Sequence, residues 1–427
     1  MNKKVLEVGP KQTVIPKDWS ISKLKEVARN EKDSFVDGDW VESKDMVEKS
    51  EGDYQLIQLG NIGEGNFKGK CDKFVTENFF EENNCTLVEK GDLLISRMSS
   101  PVLRTVIAPK FEKKSITAVD IVVAKVDENR WDKRFIKNLL NYKFWSDIGE
   151  IYASGSTRLR ISRKNMEKIK IPNPPLPEQK KIADILSSVD RAIERTDEII
   201  EKTEELKKGL MQELLTKGIG HEEFKETLYG SLPEKWDIKQ MKDIGEIVTG
   251  TTPNTDEPEN FGSKYPFITP TDLDDKKYVE EVERYLSDKG YENSKPLPKN
   301  SVIVTCIASI GENAITKEES CTNQQINSII CKDKVNAEYL YYILNYHSKY
   351  LKALAGSTTV PIVSKSEFST FSLPIPPLQE QKKIASILSS IDNKIQKEKQ
   401  YKEKLEELKK GLMQKLLTGE VRVKTAN

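Results

Sequence analysis

Residues 175–216 read PLPEQKKIADILSSVDRAIERTDEIIEKTEELKKGLMQELLT, and residues 377–418 read PLQEQKKIASILSSIDNKIQKEKQYKEKLEELKKGLMQKLLT. Aligned without gaps, the two are identical at 28 of 42 positions at a constant offset of 202. Such an internal copy sets the plan of the chain. Variable and constant segments alternate, as 1–174, 175–220, 221–376 and 377–427.

Each constant copy is written as a helix. The Pro-Pro-Leu entry pushes the preceding residues toward extended geometry, so the helix starts after it. Glu178 and Glu380 fall in the first turn, where negative charge suits the positive helix end. Apolar residues recur every three to four positions: Ile182, Leu186, Val189, Ile193, Ile200, Leu206 in one copy and Ile384, Leu388, Ile391, Ile395, Leu405, Leu408 in the other. At 1.5 Å per residue, a helix of this length reaches about 58 Å.

So narrow a stripe on so charged a helix needs a partner, and the other copy is the obvious one. The middle of the first copy is acidic (Glu194, Asp197, Glu198, Glu201, Glu204, Glu205). The same stretch of the second is basic (Lys394, Lys397, Lys399, Lys402, Lys404). Antiparallel pairing sets middle against middle, so these charges would fix register; a merely solvated charged surface is the alternative.

The variable segments correspond more weakly. Trp19 matches Trp236 in Pro-x-x-Trp openings, and Gly155-Ser156-Thr157 returns as Gly356-Ser357-Thr358. Strand patterns at 54–59, 92–96, 116–126, 301–308 and 327–331, with helical stretches at 133–148 and 337–354, make both segments mixed α/β. The expected class is α+β, with two mixed α/β units separated by two long antiparallel coiled-coil helices in a pseudo-twofold repeat.

Composition closes several routes. The 427 residues carry 68 Lys plus Arg and 68 Asp plus Glu, so the chain has no uniformly basic coat. No apolar run reaches the roughly 18 residues of a membrane span, and the charged opening argues against a signal peptide, which predicts a cytoplasmic protein. Five cysteines without a Cys-x-x-Cys spacing read as reduced thiols, and two histidines support neither a zinc site nor a His-based active site. Asn173-Pro174-Pro175-Leu176 approaches an adenine-methyltransferase motif, but Leu176 stands where an aromatic ring is needed and the second copy lacks the Asn. No catalytic or metal-binding residue is expected.

Binding remains. Residues 154–170 carry Arg158, Arg160, Arg163, Lys164, Lys168 and Lys170 against Glu167 alone, a local charge of +5. With Ser156 and Thr157 they suit phosphate contact and guanine readout, unless the stretch is an ordinary solvated loop. Further candidates for DNA contact are Arg97, Arg104, Thr251, Gln324, Ser357, Thr358 and Lys365. The amides of 323–325 pair with adenine or, equally, bond the protein's own backbone.

The duplicated helices, the Pro-x-x-Trp openings and the Gly-Ser-Thr loops together make residues 15–420 resemble the specificity subunit of type I restriction–modification systems. The resemblance implies two target-recognition domains, each reading one half of an asymmetric two-part site in double-stranded DNA, with the helices as ruler and docking surface. It implies two modification (methyltransferase) subunits and two restriction (translocase/nuclease) subunits as partners. These would supply S-adenosylmethionine, ATP and Mg chemistry, leaving this chain non-catalytic. A purely structural scaffold and an intrinsic DNA-modifying enzyme are the competing classes.

Overall fold

A computed structural model describes residues 3–424 apart from 70, 99, 156–157, 274–275 and 356–359. The chain forms two compact units, Met1–Asp197 with Gln400–Asn427 and Glu198–Lys399, so the boundary falls inside both long helices.

The two units share one framework. In the first, a four-stranded antiparallel sheet runs Phe35–Asp37, Ile121–Ala124, Leu93–Ser96, Thr105–Ile107 across its width. In the second the order is Gly245–Thr249, Ile326–Cys331, Val302–Thr305, Asn313–Ile315, the same sequence of first, fourth, second and third strand. A smaller sheet in each contains one parallel pair, Tyr54–Ile57 with Ser115–Thr117 and Tyr265–Ile268 with Cys321–Thr322. Central strands are buried on both faces, and their β-branched side chains fill the cores around Trp19, Trp131 and Trp145 in one unit and Trp236, Tyr339 and Tyr342 in the other.

Three expected elements are interrupted. Residues 116–126 are not one strand but Ser115–Thr117 and Ile121–Ala124, with a turn that brings Asp120 to the sheet edge. The helix expected at 133–148 is two, Lys133–Asn141 and Lys143–Ile151, as is 337–354, seen as Ala337–Tyr346 and Ser348–Leu354. At the first break the Asn141 side chain bridges helix and strand: its Nδ2 donates to Thr105 O and to Lys137 O, each at 2.7 Å, and its Oδ1 accepts from Thr105 N at 3.2 Å. Docking an amide on a strand competes with continuing the helix.

The long helices are Leu176–Leu214 and Leu378–Leu417. Within the first unit Asp190 pairs with Lys409 and Asp197 with Lys402, both at 2.7 Å. A step of seven forward on one helix is a step of seven back on the other, which is antiparallel pairing in heptads. Within the second unit Lys207 pairs with Asp392 at 2.6 Å and Glu204 with Lys399 at 2.9 Å, again antiparallel. The acidic middle of one copy therefore meets the basic middle of the other.

The apolar stripe divides its duties. Ile182 and Leu186 enter the core of the first unit, and Ile384 and Leu388 that of the second. Ile395 and Leu405 are buried, while Val189, Ile193, Ile200 and Ile391 are half-buried. Leu206 and Leu408, expected in the stripe, are instead 55% and 50% exposed. Thr196 and Thr203 are buried at heptad positions, their hydroxyls donating to Ala192 O and Ile199 O. A periodicity of apolar residues alone passes over such threonines.

Candidate nucleic-acid interface

Each unit holds its helix starts with the same polar node. Trp19 Nε1 donates to Glu178 at 3.0 Å, and Arg422 adds two bonds to the same carboxylate at 2.7 and 2.9 Å while gripping Asp18 with a second pair. That guanidinium holds the Asp18 carboxyl below its ordinary range. In the second unit Trp236 Nε1 donates to Glu380 at 3.2 Å, and Ile219 N and His221 Nε2 lie 2.9 and 2.8 Å from its other oxygen. Arg422 and His221 arrive because Gly218 and Gly419, at φ +66° and +68°, follow the two helices in the left-handed conformation. The next residues complete the joint: Gln179 Oε1 accepts from Asp132 N and Gln381 Oε1 from Asn336 N, and both amides donate to the carbonyl of the entry proline. Asn173 of the Asn-Pro-Pro stretch accepts from Gln179 and donates to Ser22, a structural joint.

On that frame sits the basic stretch of the first unit. Strand Arg160–Ile161 pairs with Ala153–Ser154, and Ser162 Oγ accepts from Asn165 N to cap the short helix Arg163–Glu167. Ser156 and Thr157 lie outside the described residues, as do Ser357 and Thr358. Arg158 and Lys164 are exposed. Lys168 and Lys170 are exposed as well, whereas Arg160 and Arg163 are engaged. Arg160 pairs with Asp120 at 2.7 Å, and Arg163 lies between Asp37 and Glu167 at 3.6 and 3.3 Å.

Arg97 requires a correction. It is only 7% exposed, its Nε donates to Ile161 O at 3.1 Å, and its guanidinium also bonds Asp37. It braces the sheet edge rather than offering a free surface cation. The local charge of +5 is likewise reduced, because Asp37 on a strand and Asp120 on a turn arrive from parts of the chain distant in sequence. Arg104 is half-buried and lines a cavity of about 400 Å³ with Ser100, Lys143 and Glu150.

Backbone hydrogen bonds align the two edges residue by residue. Gly38 N→Ile121 O corresponds to Gly250 N→Ile326 O, and Asp39 N→Thr117 O to Thr251 N→Thr322 O. Arg97 N→Asp120 O corresponds to Cys306 N→Gln325 O, and Ser96 N→Arg104 O to Thr305 N→Glu312 O. The bridge Met98–Arg160 corresponds to Ile307–Ile362. Where the first unit has Arg97, Arg104, Asp120 and Arg160, the second therefore has Cys306, Glu312, Gln325 and Ile362.

The second edge is accordingly amide- and hydroxyl-lined. Gln324 is exposed, with its Oε1 accepting from Thr252 Oγ1 at 2.7 Å, whereas Asn323 and Gln325 bond each other. Thr251 is half-buried, and Lys365 is exposed at the start of helix Lys365–Thr370. At the position of Thr251 the first unit has Asp39, whose carboxyl burial pushes up to about 6, and beside it Trp40 stands 67% exposed. Neither Trp40, Asp37, Asp120 nor Ile362 carries a sequence signal; only strand register sets Asp37 and Asp120 at the edge of the first unit and Ile362 at the matching edge of the second.

Residues 16–205 and 233–407 match the type I restriction modification DNA specificity domain. The chain belongs to this family. Both members of the duplicated frame fall within a matched segment. Similar proteins include a Methanocaldococcus jannaschii protein assigned as the MjaX type I restriction enzyme specificity subunit, 26% identical over 99% of this chain and 97% of that one. The MjaIX specificity subunit of the same organism is 40% identical over 44% of each chain. Among solved structures, the type I restriction–modification S subunit from M. genitalium covers 97% of this chain and 99% of that one at 16% identity and a TM-score of 0.59, a likeness of fold.

Among the described residues no group of three His, Cys, Asp or Glu side chains is placed to hold a metal. Burial pushes the Cys71 and Cys306 thiols up to about 11 and Cys85, Cys321 and Cys331 up to about 12, which keeps them protonated. No helix among the described residues is long and apolar enough to cross a membrane.

Proposed function

We propose that the chain is the sequence-specific DNA-binding subunit of a cytoplasmic type I restriction–modification complex. Each unit reads one half of an asymmetric two-part duplex site, and the paired helices set the spacer and dock the modification subunits. Two modification and two restriction subunits carry S-adenosylmethionine, ATP and Mg, and this chain performs no chemistry itself.

The observation that carries the reading is one frame decorated twice. Strand order and backbone bonds agree between the units, while the edge residues change from arginine and aspartate to amide and isoleucine. A scaffold would have no use for two unlike edges on one frame; two unlike half-sites would.

The first unit's exposed Arg158 and Lys164 suit phosphate contact and guanine, and the second unit's Gln324 suits adenine. Co-expression with the modification subunit, followed by mapping of methylated adenines, tests the reading. One two-part motif with a fixed gap is expected, and methylation without sequence preference would defeat it.

A further inference from the structure

Ile362 occupies in the second unit the place that Arg160 holds in the first, opposite Ile307 across a strand bridge, and it is 51% exposed. Val360, two residues before it, is 49% exposed. Both follow the Gly-Ser-Thr segment that recurs in the two units.

The surroundings are polar in a specific way. Cys306 N donates to Gln325 O and Val363 N to Cys306 O, each at 2.8 Å, so the amide segment and the Ile362 segment flank Cys306 on either side. Beside them the Gln324 amide is oriented by the Thr252 hydroxyl. This edge has the exposed Gln324 amide for adenine and branched alkyl groups, and the positions that carry Arg97, Arg104 and Arg160 in the first unit hold no guanidinium.

In the major groove an A·T pair alone presents a C5 methyl group, next to the adenine N6 donor and N7 acceptor that an amide pairs with. Resting on the reading above that each unit faces a half-site, we propose that Ile362 is a specificity-determining residue. It packs on the methyl group of a thymine in the half-site read by the second unit.

Exposed alkyl groups also suit a protein partner, so the chemistry has to be separated. The register equivalence with Arg160 and the flanking amides favour DNA.

Replacing thymine by deoxyuridine removes that methyl group and nothing else. After the two-part motif has been mapped, each thymine in turn is replaced by deoxyuridine in a duplex bound by the assembled complex, at fixed salt. One replacement should weaken binding about fourfold, the worth of one buried methyl-sized group. The penalty should vanish in Ile362→Ala, persist in Ile362→Val, and leave the other half-site unchanged. If every replacement is neutral, or the penalty survives in Ile362→Ala, Ile362 faces something other than thymine and the proposal is overturned. Failure to find a two-part motif strikes the underlying reading itself.

Discussion

Arg422 and Glu178 lie 244 residues apart in sequence and are joined at 2.7 Å, where the chain that follows one long helix grips the first turn of the other. Glu178 is almost wholly buried, and its other oxygen accepts from both the Trp19 indole and Arg422. The equivalent carboxylate, Glu380, receives the Trp236 indole and the His221 ring.

Removing the carboxylate leaves the buried Trp19 indole without its acceptor, while Arg422 keeps only its pair of bonds to Asp18. Glu178→Ala should therefore destabilise the protein by about 1–3 kcal/mol, the cost of leaving a buried donor without its acceptor. Arg422→Lys should cost less, since it keeps the charge but loses the fork. Urea denaturation of both variants measures the difference; equal stability would show that the joint is idle.

His347 is 3% exposed, surrounded by the rings of Tyr229, Tyr346 and Tyr350, and both of its ring nitrogens are buried without a partner. Burial, with a smaller contribution from Lys349, lowers its pKa from 6.5 to about 4. The unfolded chain therefore takes up the proton first. Stability contributed by this residue is complete above pH 6.5 and falls as the pH drops toward 4, by at most about 3 kcal/mol. His347→Phe should flatten that window in thermal melts from pH 7 to pH 4. Parallel curves for the two proteins would refute the assignment.

The long helices, their antiparallel sense and their meeting of acidic with basic middles were legible because a 42-residue duplication states them twice. The broken helices were not, because Asn141 ends its helix by bonding a strand 36 residues away in sequence. The basic stretch was legible only in part. Arg97, Arg160 and Arg163 are answered by Asp37 and Asp120, and that pairing exists only once the sheet has formed. Register, not composition, decided which cations remain exposed.

Arg158 is exposed while Arg160 is held by Asp120, so the two should behave differently. Arg158→Ala should weaken binding of the assembled complex to its DNA and lower the slope of log affinity against log salt by about one. Arg160→Ala should change the salt slope less, because it also frees Asp120 at the same edge. Mobility-shift titrations at several salt concentrations measure both. Identical slopes for all three proteins would make residues 158–164 ordinary surface.

The helices can act as a ruler only if their pairing survives a change of length. Asp190–Lys409 and Asp197–Lys402 are spaced by seven residues on each helix, so the pattern repeats in heptads. Four extra residues in one helix advance it by about 6 Å at 1.5 Å per residue and set it out of step with its partner. Seven extra residues in both helices, after Glu198 and after Lys399, keep every pair in step and add about 10 Å. At about 3.4 Å per base pair the matched insertion should lengthen the gap in the methylated motif by roughly three base pairs with both half-sites unchanged. The four-residue insertion should lengthen it less and reduce stability. Methylation mapping of the two variants reads the gap directly, and an unaltered gap in the matched variant would mean that the spacing is set outside these helices.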